Sequence, residues 1–169
     1  ESLEFVRDRV EAGLLQQRDD GCVGSIIPDV GLPKLVDGSA GWADAAVILP
    51  HTLYRVYGNQ DVLVEQYDSM KKWLSFLENR AAKTRFLNRL RRNPYRQYEI
   101  DTGYHWGEWL EPGHVMAQDA LRNLFAPDAE VATAYYAYSA GLLADIATVL
   151  GKRDDAARYR SLSDKIKTA

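Results

Sequence analysis

Cysteine is almost missing: Cys22 is the only one in 169 residues. An internal disulfide framework is excluded, and so is a zinc cluster built on cysteine. Histidine is nearly as scarce. His51, His105 and His114 are scattered singly and no His-Glu-x-x-His pattern occurs, so a metal hydrolase of that design has no support and no metal or other cofactor is expected. No apolar run approaches the roughly 20 residues that cross a bilayer, and no basic stretch followed by an apolar one marks a signal peptide. A basic excess is also missing. The 21 Lys and Arg face 24 Asp and Glu, a net charge of −3, so neither nucleic acid nor a membrane is an expected partner. Position 1 is Glu1 rather than Met, and residues 1–18 already read as helix. The chain is therefore expected to be a piece of a longer polypeptide.

What is there is enough to build a core. Hydrophobic residues make up 46% and charged residues 27%, which is the balance of an ordered domain. Leu3, Val6, Val10 and Leu14 place one apolar stripe on a helix over about 2–18. Residues 41–57 read as a second helix, apolar over Ala45–Leu49 and so expected to be buried on most sides, with Pro50 kinking it. The plainest amphipathic pattern spans 61–80. Leu63, Tyr67, Met70, Trp73, Leu74 and Leu77 fall on one stripe, with Glu65, Asp68, Lys71, Lys72 and Glu78 off it. Residues 128–150 read as another heavily buried helix and 153–168 as an amphipathic one carrying Tyr159, Leu162 and Ile166; a short helix near 115–124 is weaker. The basic run from Arg80 to Arg92 reads as a solvated outer face.

Twice a heavily apolar helix ends at glycine and a half-exposed helix begins about three residues later, at Tyr57-Gly58-Asn59-Gln60-Asp61 and at Leu150-Gly151-Lys152-Arg153-Asp154. The repeating unit is a helical hairpin, and stacked hairpins make an all-α array, either an open solenoid or a closed toroid. Short links at one end place the long loops, 19–40 and 94–114, together on the opposite face. Residues 21–28 and 95–100 are candidates for a short β-ribbon there.

Two loop segments carry candidate chemistry. In Asp37-Gly38-Ser39-Ala40-Gly41-Trp42-Ala43-Asp44 an indole stands beside two carboxylates. A ring face can stack on sugar C–H groups while carboxylates accept hydroxyl protons. The same residues also suit a structural role, with Asp44 complementing the helix dipole and Trp42 anchoring the core. In Tyr104-His105-Trp106-Gly107-Glu108-Trp109-Leu110-Glu111-Pro112-Gly113 aromatics alternate with polar groups, as in a pocket wall or in a tight loop pinned by its rings. His105 is the one histidine worth testing. His51 reads as a core residue and Cys22 as a buried or incidental thiol.

These segments, taken in order, resemble the bacterial α-L-rhamnosidases, inverting glycoside hydrolases whose catalytic domain is a toroid of six α/α hairpins. The resemblance lies in Asp20-Gly21 leading to Ile27-Pro28-Asp29, in Gly41-Trp42-Ala43-Asp44-Ala45-Ala46-Val47 with the helical Pro50, and in Gly107-Glu108-Trp109-Leu110-Glu111-Pro112. Tyr135, Ser139, Leu143, Leu150-Gly151 and Tyr159 fit the following hairpin, in a pattern shared by many toroidal glycosidases. Ala43 stands where the family has glycine, and Glu108 where it has aspartate. The resemblance implies that residues 1–169 form part, about half, of the toroid, and that Trp42 and Trp109 line a rhamnose pocket. Asp44, Glu108 and His105 are the further candidate sugar contacts. An inverting hydrolase needs an acid and a base about 6.5–9.5 Å apart. The family's acidic motif upstream of Gly-Trp and its later carboxylate hairpin are both missing here. The piece alone is expected to be inactive, its partners being a rhamnose-containing glycoside and the remainder of the parent chain. The rival readings are a trehalase-like or glucosidase-like toroid and a non-catalytic helical-repeat scaffold.

Overall fold

Two pairs of antiparallel helices form where the apolar spacing places them. The structure is a computed structural model, and it describes residues 16–26, 36–83, 94–105 and 129–169. Helix α1 is Ala45–Tyr57, α2 is Asp61–Ala81, α3 is Ala129–Val149 and α4 is Arg153–Lys167. The helices expected near 2–18 and 115–124, and most of the basic run, lie outside the described residues.

Each hairpin turns on a glycine held in the left-handed region. Gly58 (φ 70°) donates its N–H to the Tyr54 carbonyl at 2.8 Å, a single-bond αL ending. After α3, Gly151 (φ 71°) donates to Thr148 at 3.1 Å and Lys152 to Ala147 at 2.8 Å, the two-bond Schellman ending. Neither glycine has a neighbour within 4 Å of where a Cβ would stand, so backbone conformation alone selects the residue.

The core follows the expected stripes. On α2 all six stripe residues, Leu63, Tyr67, Met70, Trp73, Leu74 and Leu77, are buried. They meet Tyr136, Ala140, Leu143, Ala144 and Ala147 on α3, and α3 in turn covers Tyr159, Leu162 and Ile166 of α4. Each large side chain so buried contributes about 1.5–3 kcal/mol relative to exposure. Alanine at 132, 137, 140, 144 and 147 lets neighbouring helices come close to α3. The half-exposed helices α2 and α4 are joined by side chains: Tyr67 Oη donates to Asp155 at 2.8 Å, and Arg158 grips Glu78 at 2.8 and 2.9 Å.

The segment before α1 docks on α2. Gln17 donates to the carbonyls of Gly21 (2.9 Å) and Ser69 (3.2 Å) and accepts from Ser69 Oγ (2.8 Å). Cys22 is buried behind it, and burial pushes its thiol up to about 11, so it stays protonated near neutrality.

Three expectations are corrected. Helix α1 is not buried on most sides: Val47, Pro50 and Leu53 face inward, while Leu49, Val56 and Tyr57 are exposed. Among the described residues nothing covers that flank. Second, α1 starts at Ala45 rather than 41, because residues 40–44 wind through turns held by side chains from below. Third, no strand occurs among the described residues. Arg96–Tyr98 is a 3-10 turn in which Tyr98 N–H bonds to the Tyr95 carbonyl and Glu99 N–H to that of Arg96.

Candidate functional site

The loop face is assembled by contacts between segments far apart in sequence. Segment 36–44 runs into the N-terminus of α1, and the end of α2 rises beside it. Ile100 N–H donates to Thr133 Oγ1 of α3 at 3.1 Å, bringing segment 94–105 alongside. His105 completes the junction, its Nδ1 lying 3.1 Å from the Ala40 N–H. The described parts of the two long loops therefore converge at one end of the hairpins.

Trp42 stands on this face with 45% of its surface exposed, so it is not a core anchor. The backbone beneath it is held at consecutive amides. Ala40 N–H donates to His105 Nδ1, and Gly41 N–H donates to Asp44 Oδ2 at 2.8 Å. Beyond Trp42, Ala43 N–H bonds to the Ser39 carbonyl and Ala45 N–H to the Trp42 carbonyl. Gly41 has φ 80°, and a Cβ there would meet the Tyr135 ring at 3.2 Å, so only glycine fits the turn that lifts the indole.

Asp44 and His105 are placed below this surface rather than on it. The Asp44 side chain does not cap α1; it turns inward and is 1% exposed. Its Oδ1 accepts from Trp73 Nε1 of α2 at 3.0 Å and from Ser139 Oγ of α3 at 2.6 Å, and Oδ2 accepts from Gly41. One carboxylate therefore ties α1, α2, α3 and the Trp42 turn together. Burial raises its pKa, and the hydrogen bonds from Ser139, Gly41 and Trp73 pull it back. His105 is fully buried. Because the Ala40 N–H can only donate, Nδ1 must be the bare nitrogen and Nε2 carries the hydrogen, which it donates to the Thr102 carbonyl at 3.2 Å. Burial, and then the Arg80 charge, lower its pKa to about 4, so the ring is neutral at pH 7.

Arg80 corrects the reading of the basic run at its first residue. It is not on a solvated face. Its guanidinium donates to the carbonyls of Gly38 (2.6 Å) and Asp37 (3.5 Å) and lies 4.6 Å from the Phe76 ring centre. Gly103 passes so close that a Cβ would sit 2.9 Å from Arg80 Cζ. Trp73, Ser139 and Arg80 are the supporting residues that sequence reasoning did not assign to the site. Ser139 left one signal, a hydroxyl on an otherwise apolar helix face. Glu108 and Trp109 lie outside the described residues.

Helical hairpins with paired short turns at one end and a loop face bearing the exposed Trp42 at the other define the class: an α/α hairpin array. Residues 3–169 match the family described as the bacterial alpha-L-rhamnosidase 6 hairpin glycosidase domain, and the chain belongs to that family. An alpha-L-rhamnosidase of Streptomyces avermitilis is 36% identical over 153 residues, covering 90% of this chain. Another, from Alteromonas sp., is 32% identical over 146 residues and covers 85%. The chain spans 12% and 14% of those two proteins. The crystal structure of the Streptomyces avermitilis alpha-L-rhamnosidase complexed with L-rhamnose superposes with a TM-score of 0.75 at 31% identity, over 99% of this chain and 13% of that one. The alpha-L-rhamnosidase structure from Dictyoglumus thermophilum gives 0.74 at 27%, over 99% and 16%. The fold is thus part of an α/α toroid, of which the described residues supply two hairpins.

Proposed function

We propose that the whole protein is a glycoside hydrolase that releases terminal α-L-rhamnose with inversion, and that this segment forms part of its sugar-binding wall. Family membership and relatives carrying that activity in their names support the class. One observation supports the site above the others: an exposed indole, Trp42, on a turn whose two preceding amides are fixed from beneath. Such a platform suits the C–H face of a sugar, which gains from a flat apolar surface that does not have to be ordered on binding. Trp109 and Glu108 are proposed as further wall residues. His105, four residues before Trp109, touches Ala40, two before Trp42, which favours a shared rim. In this reading Asp44 and His105 support the wall rather than touch sugar, and the general acid and the base that activates water come from other parts of the polypeptide.

The test uses the whole polypeptide that carries this sequence. Hydrolysis of an aryl α-L-rhamnoside, followed by proton NMR, is expected to release β-L-rhamnose first, and Trp42→Ala to weaken L-rhamnose binding by about tenfold or more, the scale of a lost aromatic contact. An unchanged affinity in Trp42→Ala would remove the platform; retention of configuration would remove the inverting mechanism. Residues 1–169 alone are expected to give no hydrolysis.

A further inference from the structure

Asp44 presents two oxygens with separate tasks. Oδ1 faces the core and takes two donors from two helices, Trp73 Nε1–H and Ser139 Oγ–H. Oδ2 faces outward and takes one, the Gly41 N–H next to Trp42. A residue further back, His105 Nδ1 takes the Ala40 N–H. Both side chains are at most 1% exposed, so neither offers a surface to a ligand. Ala40 and Gly41 lead the chain into Trp42, so a shift of either amide tilts the backbone that carries the indole.

We infer that Asp44, through Oδ2, and His105, through Nδ1, are positioning residues that set the orientation of the Trp42 platform for sugar. This deepens the proposed function and rests on Trp42 being a sugar platform. The chemistry explains why an acid stands at 44. Gly41 N–H and Trp73 Nε1–H are both fixed donors, on different oxygens, so only a group with two acceptors satisfies both. Asparagine has the same shape and one acceptor. With the indole of Trp73 packed and fully buried, the amide oxygen stays on the core side, and the NH2 of Asn at position 44 meets the Gly41 N–H head on. The turn yields, because it is the softer partner.

The experiment measures L-rhamnose affinity by titration calorimetry, and melting temperature, on the whole polypeptide. Asp44→Asn is expected to bind about tenfold more weakly, the scale of one part-buried amide left unpaired. Adding Trp73→Phe removes the competing donor, lets the amide turn its oxygen to Gly41, and is expected to restore affinity to within about threefold of wild type. A purely structural defect would be worsened by that second core change. At the other tie, His105→Leu is expected to weaken binding while His105→Asn, whose oxygen takes the place of Nδ1, keeps it. Ile166→Ala, in the core of α4, should lower the melting temperature with no effect on affinity. If Asp44→Asn does not fold, the His105 pair decides. Wild-type affinity in Asp44→Asn, or no recovery in Asp44→Asn/Trp73→Phe or in His105→Asn, overturns the inference. If Trp42→Ala binds like wild type the platform itself falls; if Trp42→Ala loses sugar while Asp44→Asn and His105→Leu keep it, only the positioning role does.

Discussion

At the scale of single residues, buried polar groups set the largest expected effects. Asp44→Ala leaves Gly41 N–H, Trp73 Nε1–H and the Ser139 hydroxyl without their acceptor. Denaturant unfolding should show a loss of about 3 kcal/mol or more. His105 makes a pH prediction. Its folded pKa, about 4, lies below the ordinary 6.5, so the unfolded chain binds more protons between those values. The contribution is fully present above pH 6.5 and is lost as pH falls towards 4. At 1.36 kcal/mol per pH unit it amounts to about 3 kcal/mol. Unfolding free energies of wild type and His105→Asn, compared from pH 7 to pH 4, should converge by about that amount. Arg96 points the other way. It is 9% exposed, and its buried Nε and Nη2 have no hydrogen-bond partner. Two buried guanidinium nitrogens without an acceptor among the described residues cost more than an apolar side chain of like volume, so Arg96→Met is expected to stabilise the chain by about 1 kcal/mol. A fall in melting temperature would refute that.

At the scale of elements, the hairpins were the legible part. Every residue of the 3.6-residue stripe on α2 is buried, while Val62, Gln66, Ser69 and Ala81, buried beside it, were not on that stripe. Glycine after each apolar helix located both turns, because a left-handed residue is a local requirement that leaves a local mark. Gly151→Ala tests this directly. With open space around the missing Cβ, the cost is that of the backbone conformation alone, about 1–2 kcal/mol by thermal or denaturant unfolding, and Gly151→Asn should cost less. The site was less legible, since its geometry depends on partners at long sequence separation. An aspartate at the start of a helix looks the same whether it faces water or, like Asp44, reaches Ser139 on another hairpin. Arg80 looked like the first of a solvated series because Gly38 and Gly103, the groups it touches, come from other segments. The β-ribbon expectation failed at 95–100 because Tyr95, Tyr98 and Ile100 are β-prone residue types, while their three-residue tyrosine spacing suits the 3-10 turn the chain closes there.

At the scale of the whole molecule, the apolar surface is incompletely covered. Leu49, Val56 and Tyr57 on α1 and Val64 on α2 are 41–66% exposed, and Tyr138 of α3 is 50% exposed beside a groove of about 840 Å³ between α3 and α4. These are the flanks at which a ring of hairpins would continue. Residues 1–169 alone are therefore expected to self-associate, as exposed apolar patches do. Sedimentation velocity should show species heavier than the monomer, and Val56→Lys with Val64→Lys should shift the distribution towards it.

The two turns at the far end from Trp42 are only three residues long, and each is closed by hydrogen bonds back into its helix. An insertion there would break those bonds, whereas the described parts of the opposite rim are braced laterally, Ala40 by His105 and Ile100 by Thr133. Tolerance of insertions is thereby expected to be uneven along the chain: high at the rim that bears Trp42, and low at the opposite pole, where each turn is closed on its own helix.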